Sequence, residues 1–346
     1  MTQAARAATR ASSPPSQECG DKPASESDYT VVWRTTDVCD LRCGFCQYSA
    51  SNHFTRLNVT RSEVLRFGQL LAGWGSQRGR RVLLSWLGGE PFLWHDLLNV
   101  CTELRGSGLR TSVTTNGHRA ALGGFEARDI AHAFSEVTVS LDGYEATHDE
   151  SRGNVGLYRR IFALLTKIGA TNMNVTLRAN VLITRRSLPQ LREIVADCAG
   201  VGVSQVSFNV LWLEAHHELA ELKLRPSDLD YLEKELVAVR ELVNERCAVL
   251  GSPRYVARLR AYAQGIPILV KDCGPARSTL FIDSDGRVAP CAYTVPDYGL
   301  HIEQLRTAED IDGLPTFFRE LRLSRLASAC HDCPDTNVFG KFEWCI

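Results

Sequence analysis

Past residue 28 the chain alternates between two kinds of hydrophobic pattern. Short runs rich in apolar and β-branched residues fall at 29–35, 81–86, 109–114, 136–141, 174–183 and 203–211, and read as strands. Between them, apolar positions recur at spacings of three and four over 62–74, 97–107, 157–168 and 188–198, the mark of helices with one buried face. Alternation of this kind argues for a parallel sheet built from βαβ units. Six units are too few to close an eight-stranded barrel, but enough for an open one. After residue 213 the rhythm changes: 225–245 and 254–264 read as two surface helices, the first opening at Pro226-Ser227-Asp228. Two β-rich runs at 278–283 and 287–289 flank Ser284-Asp285-Gly286, a hairpin signal, and a helix is expected over 314–327. The expected fold class is α/β, a partial (β/α)6 barrel followed by a small domain of hairpin and helix. The expected divisions are a disordered tail (1–28), the barrel (29–215), a helical connector (216–272) and the terminal domain (273–346).

Composition narrows the class. With 346 residues the chain can bury a core without covalent staples. No run of 18 apolar residues occurs, which excludes a spanning helix. Basic and acidic residues nearly balance (39 against 40) and no basic block stands out, so nucleic acid is not an expected partner. The first 28 residues lack an apolar secretory core, and they bury too little to order themselves. A cytoplasmic location follows as the expectation. In that reducing compartment the grouping of the twelve cysteines points to metal ligation rather than disulfides.

Cys39, Cys43 and Cys46 follow the first strand with the spacing C-x3-C-x2-C. Random placement of the same cysteines yields on the order of 0.015 such triplets per chain. Three thiolates on one short loop can share an iron–sulfur cluster and leave one iron open to a small molecule. A zinc site short of one ligand, or three buried apolar cysteines, are the alternatives. Further along, Gly88-Gly89-Glu90-Pro91 ends the second strand, Thr114-Thr115-Asn116-Gly117 the third and Ser140-Leu141-Asp142-Gly143 the fourth. The C-terminal ends of barrel strands are where such enzymes build active sites.

Together these residues resemble the radical S-adenosylmethionine (SAM) superfamily over roughly residues 29–213, with Phe45 as the aromatic before the last cysteine of the signature. The resemblance implies a four-iron cluster on Cys39, Cys43 and Cys46, with SAM chelated at the open iron and cleaved to a 5′-deoxyadenosyl radical. It also implies a SAM site in which Gly88, Gly89, Glu90 and Pro91 meet the ammonium. Asn116 and Asp142 lie at neighbouring strand ends of that site, Ser140 bonds the ribose, and Arg178 reaches the carboxylate.

A second set, Cys273, Cys291, Cys330 and Cys333, is separated by 17, 38 and 2 residues and brackets the hairpin. Four thiolates make a closed cage, either an iron–sulfur electron carrier or a zinc ribbon. The pattern resembles the Twitch domain, a shortened form of the SPASM auxiliary-cluster domain, and implies a second four-iron cluster. Beyond Cys333 only Cys345 remains, as a free thiol, a substitute ligand or a hydrogen-atom donor. Cys101, Cys198 and Cys247 read as small buried hydrophobes, and Cys19 falls in the tail.

Such proteins include sugar and aminocyclitol dehydrogenases of antibiotic pathways. The resemblance therefore implies an oxidoreductase, a dehydrogenase or the related epimerase, acting at a carbinol carbon of a sugar, aminocyclitol or nucleoside-type small molecule. Electrons would come from a donor such as flavodoxin or ferredoxin. Glu214 and His216, just past the sixth strand, are candidate proton acceptors from a substrate hydroxyl. Two rival readings stand beside this one. The first is a peptide maturase forming thioether or carbon–carbon crosslinks, and the second is a non-enzymatic iron–sulfur or zinc scaffold.

Overall fold

A computed structural model describes residues 28–34, 36–46, 60–213, 216–243 and 247–343. Residues 1–27, with Cys19, as well as Glu214 and Cys345, lie outside the described residues. All six expected strands form: β1 (Asp28–Arg34), β2 (Arg81–Leu87), β3 (Arg110–Thr115), β4 (Glu136–Leu141), β5 (Thr176–Ile183) and β6 (Gln205–Val210). Each pairs in parallel with the next. The connecting helices are α1 (Arg61–Arg78), α2 (Leu97–Gly106), α3 (His118–Ala121), α4 (Ala127–Ala133), α5 (Ala146–Arg152), α6 (Leu157–Gly169) and α7 (Leu191–Gly200). Of these, α3, α4 and α5 are too short to show a helical period in sequence.

Strand alternation sorts the side chains into two faces. One face is apolar and packs on the helices. Tyr29 meets Trp74 of α1 edge-on at 4.8 Å, and Trp33 meets Phe67 at 6.0 Å. The other face carries hydroxyls, amides and charges. In register across it run Ser85, Ser112 and Glu136, then Thr114, Thr138, Arg178 and Gln205, then Ser140, Asn180 and Ser207. Such a lining suits a barrel whose interior receives polar ligands rather than serving as core.

The second half comprises α8 (Leu229–Val243), β7 (Ala248–Val249), α9 (Pro253–Ala263), β8 (Thr279–Ile282), β9 (Arg287–Ala289), α10 (Val295–Tyr298), β10 (Leu300–His301) and α11 (Ala308–Ser324). The expected hairpin is β8–β9, but it does not stand apart. β8 pairs in parallel with β1, and β7 pairs with β6, giving one sheet in the order β10-β9-β8-β1-β2-β3-β4-β5-β6-β7. Both edges of the open barrel thereby receive hydrogen-bond partners that would otherwise be left exposed. Helix α11 starts six residues before the expected 314, because Thr307 and Asp310 form a reciprocal capping box, and Pro315 lies inside it. No helix among the described residues is long and apolar enough to cross a membrane.

Candidate active site

The cysteine loop is docked on the end of β2 by backbone alone. Gly89 N donates to Thr36 O at 2.7 Å and Glu90 N donates to Val38 O at 2.9 Å. A Cβ on Gly89 would stand 2.1 Å from Val38 O, and one on Gly88 (φ +152°) 2.4 Å from Thr36 O. Only glycine permits this approach. From the end of β3, Asn116 donates to Cys39 Sγ at 3.5 Å and to Asp40 Oδ1 at 2.9 Å, while His118 holds Asp40 Oδ2 at 2.9 Å. Leu41 N also points at Cys39 Sγ, at 3.5 Å. Donors aimed at a sulfur are what a cluster-ligating thiolate requires. Burial raises the Cys43 thiol to about 11, a proton that metal binding displaces.

Above this loop opens a cavity of about 400 Å³. Of the candidate site residues, Cys39, Cys43, Phe45, Cys46, Gly88, Gly89, Asn116, Ser140 and Asp142 all line it. Buried Asp142 is engaged by Arg152 through two bonds, Nη2 donating to Oδ1 at 3.0 Å, and the Arg152 guanidinium lies 5.7 Å from the Phe45 ring centre. Beside them, His148 is fully buried and burial depresses its ring to about 4.

Four expected residues sit elsewhere. Glu90 is fully buried and its carboxyl is spent on the protein: Oε1 accepts from Phe92 N and the Thr115 hydroxyl, and Oε2 accepts from Asn116 N. It braces β2 against β3 instead of facing the cavity, and burial raises it to about 7. Pro91 is likewise buried, opening a short 3-10 turn. Arg178 does not line the cavity either. It donates to Gln205 Oε1 at 2.9 Å and pairs with Glu136 at 3.3 Å, two residues too early along β5. Asn180, one alternation further, faces the cavity in its place. His216 is exposed on the turn after β6 and is not among the lining residues.

α9, expected as a surface helix, turns one side into the cavity. Tyr255, Arg258, Leu259 and Tyr262 form one stripe that lines the cavity. Tyr255 OH donates to Phe208 O at 2.7 Å, which pins the helix over the end of β6. The signal was present as residues spaced by three and four, but an arginine inside the stripe masked it. Lys341 was also missed. Its ammonium is buried and donates to Asn180 Oδ1 at 2.9 Å, and burial followed by the charge of Arg178 lowers it to about 7.

The second cysteine set lies apart from this cavity. Cys273, Cys291, Cys330 and Cys333 line one small cavity of about 40 Å³, with Thr294 3.4 Å from Cys291 Sγ. Burial lifts Cys291 to about 12 and Cys333 to about 11. Among the described residues no three His, Cys, Asp or Glu side chains converge as the ligands of a single ion would. A donor set of four thiols spread around one cavity suits a cluster in which each thiolate takes its own iron. Tyr293 and Pro334 line both this cavity and the large one. Cys101, Cys198 and Cys247 are buried in the core.

Fold and cysteine loop together define an enzyme built around an open strand barrel with a cluster site at its mouth. The Radical SAM superfamily profile matches residues 33–210, and the chain belongs to that superfamily. It is 24% identical over 330 residues to an AdoMet-dependent heme synthase from Oleidesulfovibrio alaskensis, covering 90% of this chain and 81% of that protein. It is 25% identical over 307 residues to a PqqA peptide cyclase from Methylobacterium nodulans, covering 86% and 76%. The structure of Streptococcus suis SuiB bound to the precursor peptide SuiA shares the fold with a TM-score of 0.66 at 19% identity, over 91% of this chain and 71% of that one. Membership in the superfamily implies a SAM-binding four-iron cluster and SAM, and SAM is present in solved neighbours.

Proposed function

We propose that this chain is an oxidative radical SAM enzyme whose substrate occupies the 400 Å³ cavity. Cys39, Cys43 and Cys46 hold the SAM cluster, and with SAM bound that centre supplies a radical able to take hydrogen from a C–H bond. Cys273, Cys291, Cys330 and Cys333 hold an auxiliary iron–sulfur cluster, which when bound can accept one electron. The chain's own part is to position and to exclude water. Asn116 and Leu41 orient Cys39, the glycines of β2 keep the loop against the strand, and Tyr255, Leu259 and Tyr262 roof the chamber. The observation that carries the oxidative reading is the shared wall of Tyr293 and Pro334, which sets the four-thiol cavity beside the substrate chamber. The volume falls within the range of small-molecule sites, roughly 300–1,000 Å³.

None of the relatives named above is a sugar or aminocyclitol enzyme, so the substrate is kept here at the level of a polar molecule, with dehydrogenation preferred to epimerisation. A cytoplasmic enzyme reduced by a flavodoxin or ferredoxin completes the reading. A peptide maturase is the second reading, favoured by the similarity to the PqqA peptide cyclase. Anaerobic reconstitution decides the metal content: two clusters give about eight irons per chain, one cluster and a zinc ribbon about four irons and one zinc. Incubation with SAM, reductant and candidate substrates then decides the reaction. Release of 5′-deoxyadenosine with a product two mass units lighter supports oxidation, and a crosslinked peptide supports the rival. Absence of 5′-deoxyadenosine under every condition sinks both.

A further inference from the structure

The four-thiol cavity has a charged wall. Arg322, in the last turn of α11, lines it together with Cys273, Cys291, Cys330 and Cys333, and it is the one cation among the described lining residues. The side chain is held at both terminal nitrogens: Nη1 donates to Lys271 O at 2.6 Å, and Nη2 donates to Val270 O. Both acceptors belong to the segment that leads into Cys273, so the guanidinium is fixed beside that ligand. Both are also uncharged carbonyls, which orient the fork without cancelling its charge. Asp335 lines the same cavity, its carboxyl accepting from Asn337 N at 2.9 Å, and when ionised it adds a charge of opposite sign. Burial pushes the Cys273 thiol up, and the Arg322 charge pulls it back.

We infer that Arg322 sets the reduction potential of the auxiliary cluster, holding a fixed positive charge on its Cys273 side so that the cluster takes up an electron more readily. The inference rests on the reading of this cavity as an iron–sulfur site, and deepens it by naming the residue that makes the site an acceptor. The reason is electrostatic. Reduction adds one negative charge to a cavity already holding four thiolates, and in a partly buried site of low dielectric that charge is poorly solvated. A neighbouring cation offsets it, and net charge is among the properties that fix a cluster's potential. Because a charge acts through space, no donor has to open into the cavity. Arg325, three residues further on, is exposed and stands 4.0 Å from Asp297, so solvent and a carboxylate screen it.

The test is a redox titration of the reconstituted full chain, followed by electron paramagnetic resonance. The auxiliary signal is the one that persists in Cys43→Ala and disappears in Cys291→Ala. Arg322→Gln is expected to lower the equilibrium constant for one-electron reduction of that signal tenfold or more, which is about 59 mV more negative for such a couple. Arg322→Lys, which keeps the charge, is expected to stay within threefold of the wild type, as is the control Arg325→Gln. An unmoved potential in Arg322→Gln overturns the inference, and so does an equal shift in Arg322→Lys or Arg325→Gln. Should Arg322→Gln not hold its cluster, Arg322→Met, neutral and similar in length, is titrated in its place. Retention of the cluster by Arg322→Lys alone upholds the charge coupling, whereas its loss from all three variants makes Arg322 a structural strut and overturns the inference. Metal analysis separates the two readings: zinc at these cysteines sinks the cluster assignment itself, while iron retained at an unmoved potential sinks the inference alone.

Discussion

The two cysteine sites of this molecule are assembled in opposite ways. Cys39, Cys43 and Cys46 come from one loop and open onto a cavity of about 400 Å³, with Cys39 braced by Asn116 from the end of β3 and by Leu41 N of the loop itself. Cys273, Cys291, Cys330 and Cys333 come from three separate stretches of chain and close round about 40 Å³. Three thiols beside a large space leave room for a reacting ligand, whereas four around a small one leave none. The same residue type thus serves chemistry in one place and, on our reading, electron storage in the other.

The comparison can be broken by four experiments. The largest effect is expected from Cys43→Ala, which should lower iron by about four per chain and take 5′-deoxyadenosine release below detection. Release at the wild-type rate would dissolve the distinction between the sites. Next, Cys291→Ala should also lose about four irons but keep cleaving SAM, while product formation from substrate disappears. Joint loss of both activities would show that the second site acts on the first. A smaller change is expected of Asn116→Ala, which removes an N–H donor from Cys39 and the brace on Asp40. Loss of such an outer partner should lower SAM cleavage about 10- to 100-fold, measured as initial rate at saturating SAM.

The smallest effect concerns Lys341, which follows the auxiliary cysteines in sequence yet bonds Asn180 in the barrel. Its ammonium is lowered from 10.5 to about 7 in the folded chain. Between these values the unfolded chain binds the extra proton, so this residue makes stability rise with pH from about 7 toward 10.5. Lys341→Met should flatten that rise and increase the melting temperature at pH 7, read from melting curves at several pH values. A slope unchanged by the substitution would mean that the ammonium is hydrated in solution.

Much of the fold and half of the site are legible from sequence, for a physical reason that particular residues show. The alternation in Thr176–Ile183 marks β5 and its two faces, and the three cysteines of 39–46 are neighbours before any folding takes place. Position along a strand is less legible. Arg178 and Asn180 share a face, and only the stagger of the sheet tells which of them reaches the cavity. Glu90 was readable as a carboxyl at a strand end, but not as one consumed by Phe92, Thr115 and Asn116.

What the amino-acid order determined alone is whatever depends on near neighbours: the strand–helix rhythm, the cysteine loop and the glycines that allow its close docking. Tertiary structure decided the rest. It joined the hairpin to β1, turned α9 inward, brought Arg258 beside Trp212 and Phe339, and set Tyr293 and Pro334 in the walls of both cavities. Those arrangements depend on which distant surfaces bury one another, and no local pattern carries that information.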